Sequence, residues 1–60
     1  MSTVYNPEAE IISEIERLEL EARDIRRKVE RVQSETDRRV LNKQHKELQQ
    51  EIEVLRSRLP

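Results

Sequence analysis

Apolar side chains recur along this chain at alternating intervals of four and three residues, and this alternation constrains the fold more than any other feature. Ile11, Ile15, Leu18, Ala22, Ile25, Val29 and Val32 form one run. Leu41, His45, Leu48, Ile52, Leu55 and Leu59 form a second, with a histidine holding one place in the seam. A mean spacing of 3.5 residues keeps every member of a run on one stripe of an α-helix. Each run therefore predicts a coiled-coil helix that must bury its stripe against another helix.

The two runs are out of phase. Continuing the first past Val32 would place Thr36, Arg39, Lys43 and Lys46 in the seam, and these are poor core residues. At about 100° per residue the second stripe is rotated by roughly 120° from the first. Coiled coils absorb insertions of three or four residues by local changes of winding. The offset of two seen here, Leu41 in place of Arg39, is harder to absorb. Two architectures answer it: a chain that turns back between the runs, or one continuous long helix in a coiled-coil oligomer.

Ser34-Glu35-Thr36-Asp37 favours the turn. Its spacing is that of a capping box, with Ser34 as N-cap and Asp37 in place of the usual glutamate. Mirroring the chain about position 35 sets Val29 against Leu41, Ile25 against His45, Ala22 against Leu48, Leu18 against Ile52, Ile15 against Leu55 and Ile11 against Leu59. Residues 33–37 are left as the connection, a length that commonly joins antiparallel helices. The outer ends are also punctuated. Asn6 is a good N-cap, Pro7 suits the first helical position, and Glu8 and Glu10 suit the positive end of the helix dipole. Arg56 and Arg58 suit the carbonyl end of the second helix, and Pro60 follows it. The expected fold is all-α: a coiled-coil helical hairpin over residues 7–60, turning near 33–37, behind an N-terminal arm of residues 1–6.

Length then bears on assembly. A chain of 60 residues buries only about 60% of the surface its unfolded form exposes, so a self-sufficient core is marginal. Small chains compensate with disulfides, metals or oligomerisation. The sequence has no cysteine and His45 is its only imidazole, which leaves oligomerisation. Two helices sharing a narrow seam bury little; four sharing it make a bundle core. The hairpin is therefore expected to dimerise into an antiparallel four-helix bundle. Neither cofactor nor metal is expected.

Charge is high, 42% of residues, but the net charge of −1 gives no global pull toward nucleic acid or membrane. No apolar run approaches the ~20 residues that span a bilayer. The first residues, MSTVYNPEAE, lack the basic and apolar regions of a secretion signal. A soluble cytoplasmic protein is the expectation by elimination. The charges are nevertheless segregated. Residues 1–22 carry six acids and one base, residues 23–46 nine bases and four acids, and residues 47–60 three acids and two bases. In a hairpin the turn end is basic and the open end acidic. Hairpins paired with turns at opposite ends would match these charges. The competing reading is a phosphate-binding patch of Arg26, Arg27, Arg31, Arg38, Arg39 and Lys43, whose affinity for RNA or DNA would fall steeply with salt. Tyr5 is the only aromatic residue, so that patch offers no aromatic to stack a base.

In size and topology such a hairpin is similar to small plasmid RNA-binding regulators that form four-helix dimers, a likeness that carries no residue-level motif. Among single residues, His45 in the seam reads first as a polar residue that fixes register. The sharper reading is a pH switch, in which protonation loosens association. Ala22 facing Leu48 reads as small-to-large packing. Glu14, Glu16 and Glu21 lie close in sequence but have no histidine beside them, so they read as a solvated face. Ser13, Ser34 and Ser57 have no base positioned to activate a nucleophile, and no enzymatic activity is expected. Ile12, Leu20, Val40 and Val54 lie off the seam, where they would widen a four-helix core or dock a larger protein. Val4 and Tyr5 are candidates to anchor a partner or to fold back over the end of the bundle. The function expected is association with itself and with a protein partner, as an adaptor or oligomerising regulator, or as the assembly segment of a larger protein. Nucleic-acid binding is the alternative.

Overall fold

The computed structural model describes residues 6–60 and consists of two helices, α1 (Pro7–Arg31) and α2 (Glu35–Ser57). They pack against each other as an antiparallel hairpin. Apart from Asn6, the N-terminal arm, including Val4 and Tyr5, lies outside the described residues.

α1 starts where the capping pattern places it. Asn6 is extended (φ −118°, ψ 98°), and its Oδ1 accepts from the backbone N–H of Glu8 at 3.1 Å and of Ala9 at 3.3 Å. These satisfy two of the donors that a helix start leaves open, and Pro7 brings no N–H of its own to satisfy. The helix ends at Arg31. Val32 turns extended, with ψ 139°, while its N–H still reaches the Lys28 carbonyl at 2.9 Å.

The reversal takes residues 32–34, narrower than the 33–37 expected. Ser34 closes it: its Oγ accepts from the Asp37 N–H at 3.4 Å, which makes Glu35 already helical. Thr36 and Asp37 therefore belong to the first turn of α2. Among the described residues none has a positive φ, which explains how a connection without glycine can turn the chain. Extended residues at Val32 and Ser34 achieve it, and any L-residue adopts that backbone. The Arg38 guanidinium then donates to the Val32 carbonyl at 3.0 Å and ties the connection to α2. This arrangement replaces the continuous helix. Ser34→Ala is expected to lower stability by about 1 kcal/mol, and Asn6→Ala by a similar amount. Either is read as a lower midpoint in urea, and Ser34→Gly should cost only a few tenths of a kcal/mol.

Ile15, Leu18, Ala22, Ile25 and Ile52 are buried. Ile15, Leu18 and Ile52 form one cluster, joined by Ile11, Leu48, Leu55 and Leu59. The mirror pairs Leu18–Ile52, Ile15–Leu55 and Ile11–Leu59 thus share a single core. Val29, Val32, Leu41 and His45 are half-buried. No polar side chain is buried among the described residues. The molecule measures 52 × 23 × 11 Å, and 11 Å is about the diameter of one helix with its side chains. Among the described residues the hairpin is a single layer of two helices, with no third element on either broad side.

Candidate interaction surface

The two broad sides differ, and helix geometry decides what each carries. A step of one residue rotates a side chain by about 100°. On both helices the residue just before each seam position therefore falls on one side of the layer, and the residue just after it on the other. In an antiparallel pair the "before" positions of α1 and α2 share a side.

That first side holds three depressions in a row. At the open end Pro7 and Ile11 meet Leu55, with Glu10, Glu14 and Arg58 at the rim. At the centre Glu21 and Ile25 meet Glu47 and Leu48. At the turn end Val32, Val40 and Leu41 form an apolar hollow edged by Lys28, Arg31 and Asp37. Val40 is 52% exposed, as is Val54, one seam-spacing away from Arg58 on the same side.

The second side carries two depressions, one among Glu19, Ala22, Arg23, Arg26, His45 and Gln49, the other among Glu16, Glu19, Leu20 and Arg23. Arg56 on α2 crosses the helix pair here to bond Glu19 Oε1 at 3.3 Å. Ile12 (45% exposed) lies on this side, and Leu20 (58%) points directly away from the seam.

His45 is half-buried at the edge of the second side, where Arg23 and Arg26 line the same depression. The candidate phosphate contacts are gathered at the turn end but not on one face. Arg31 lies on the first side and Arg26 and Arg39 on the second, while Arg27 and Lys43 are on the outer backs of their helices. Arg38, the only one of the six not exposed, is turned onto Val32 and Glu35. Glu14 and Glu21 are on the first side and Glu16 on the second, so the three carboxylates do not converge. Among the described residues no group of three or more potential ligands is placed to hold a metal ion. Glu14 is paired with Arg17, whose Nε donates to Oε2 at 3.3 Å while Nη2 meets Oε1. The guanidinium hydrogen bond holds the Glu14 carboxyl below the usual glutamate range, and the carboxylate in turn raises Arg17. Of the serines, Ser34 caps α2, Ser57 donates to the Val54 carbonyl at 2.6 Å, and Ser13 is exposed. The inequality of the two sides was not anticipated from the sequence. Its signal there is the composition of the residues that immediately precede and follow each seam position.

Fold and surface together define an all-α helical hairpin in which one side carries three depressions, each with apolar residues between charged ones. No helix among the described residues is long and apolar enough to cross a membrane. Comparison with protein-family models, with curated proteins and with solved structures finds no match to the chain.

Proposed function

We propose that the chain is a non-enzymatic, self-associating interaction protein, a small adaptor or oligomerising regulator of a protein partner. Its hairpins pair with turns at opposite ends as an antiparallel four-helix bundle. One observation carries this reading: the seam is only partly covered. Five residues are buried, whereas Ile11, Val29, Val32, Leu41, Leu48, Leu55 and Leu59 keep an open flank. A layer one helix thick cannot close that flank from within, and a second layer is the usual solution. The segregated charge supports the antiparallel sense. Leu20, exposed on the outer back of α1, supports a separate contact with a different protein. A cytoplasmic location goes with this reading. Sedimentation equilibrium at micromolar concentration should return twice the 7.3 kDa mass of the chain; a well-ordered monomer there overturns the proposal.

The second reading is a nucleic-acid-binding regulator. Its support is the collection of Arg26, Arg27, Arg31, Arg39 and Lys43, all exposed, at one end of the rod. Titration with generic RNA and DNA at low ionic strength tests it. Binding that weakens steeply with salt supports it, and no binding removes it.

A further inference from the structure

The side with the three depressions carries a pattern that specifies how two copies would meet on it. On α1 its exposed stripe runs Glu10, Glu14, Arg17, Glu21, Asp24, Lys28, Arg31, each one residue ahead of a seam position. Reversed end for end about Glu21, the stripe is complementary to itself: Glu10 falls opposite Arg31, Glu14 opposite Lys28, and Arg17 opposite Asp24. The α2 stripe on the same side behaves alike. Reversed about Glu47, it sets Asp37 against Arg58, Val40 against Val54 and Gln44 against Glu51. The two centres of reversal are not independent points. Glu21 and Glu47 line the same central depression, with Ile25 and Leu48 between them.

We infer that two hairpins pair isologously through this side, about a two-fold axis that passes through the depression between Glu21 and Glu47. This rests on the self-association proposed above and specifies its contact. A two-fold interface uses one patch twice, so a patch must complement its own reverse; both stripes meet that condition at one level of the rod. The apolar hollows follow the same operation. Val32, Val40 and Leu41 at the turn end of one copy meet Ile11 and Leu55 at the open end of the other. The rims then bring Lys28 and Arg31 to Glu10 and Glu14.

The opposite side does not satisfy the same operation. Although Glu16 would meet Arg26 and Glu19 would meet Arg23 there, Ile12 would face Glu30, and on α2 Arg39 would face Arg56. Glu19 on that side is held across the two helices by Arg56. On the chosen side, by contrast, Glu14 and Arg17 are held by each other along α1 and would have to exchange that bond for Lys28 and Asp24 of the second copy. One feature of the chosen side opposes pairing: Glu21 and Glu47 of both copies converge on the axis, and like charges across an interface repel. Their removal should therefore strengthen the contact.

The test uses the full chain. With cysteine at Val40 and Val54 together, a short bis-maleimide should join two chains efficiently. The two sites are about 21 Å apart along α2 (14 residues at about 1.5 Å each), too far to be bridged within one chain. Either cysteine alone, or one at Ile12, should give little linked product. Lys28→Glu and Glu14→Lys should each weaken dimerisation about tenfold at low salt, because each reversal makes two repelling pairs per dimer. Combined, they should restore it. Glu21→Gln with Glu47→Gln should tighten the dimer. A dimer that neither links through Val40 and Val54 nor shows charge rescue overturns this interface and leaves self-association standing. A monomer at every concentration removes self-association itself, and the interface with it.

Discussion

Ile52→Asp is expected to abolish the hairpin as a folded species, with loss of helical circular dichroism at concentrations where the parent chain is ordered. Ile52 is the best-buried side chain, 2% exposed, and the only fully buried residue that α2 contributes. It meets Leu18 and Ile15 in the cluster that joins the helices. A carboxylate placed there has no counter-charge nearby in the core, and an unpaired buried charge costs several kcal/mol. A single small core rarely supplies more than about 3–5 kcal/mol, so that cost exceeds what the fold has. Ile52→Ala is the milder form, expected to cost about 2–5 kcal/mol through lost burial and the cavity left behind. Leu20→Ala is the control. At 58% exposure it should change stability by no more than about 0.5 kcal/mol. An Ile52→Asp chain that melts cooperatively at the parent's midpoint would place the core elsewhere.

The second large effect is a distance. Ser13 and Ser57 are both exposed and lie level with each other near the open end. Spin labels attached there, on the outer backs of the two helices and in protein diluted with unlabelled chain, should report the interaxial spacing of packed helices, about 8–10 Å, extended by a Cα radius of about 2.3 Å on each side and by the two label arms. In a continuous helix the same 44-residue separation would span about 66 Å at about 1.5 Å per residue. The two outcomes do not overlap. A long distance would restore the straight rod and dissolve the surface described above.

The folding instructions that act over a turn or two are plain in the sequence. Both stripes, both N-caps and the outer ends of the helices follow from spacings of three and four residues. The two-residue phase break leaves a hairpin and a rod both open, and the Ser34 cap signal is what favours the hairpin. The width of the connection was less legible. Ser34 as N-cap implies a helix from Glu35, so the 33–37 span was wider than its own capping logic required. Arg38 is a similar case. It stands three residues before Leu41, in line with the second seam, so its side chain lies against the helix pair and meets Val32 rather than joining the basic residues in solvent. Extending the second run backwards by one step would have found it. What local spacing does not encode is which flank of the seam an ion pair crosses. That depends on pairs such as Glu19 and Arg56, 37 residues apart, which meet only once the chain has folded back. The surface proposed for pairing is a product of that closure, visible in the sequence only after the hairpin has been drawn.

A slab with the thickness of a single helix keeps its interior to one line, the seam where the two helices meet, and water reaches that line from both flanks. For a chain whose copies shelter one another, order then becomes a matter of abundance: dilution acts as a denaturant, and each new copy shields those already made.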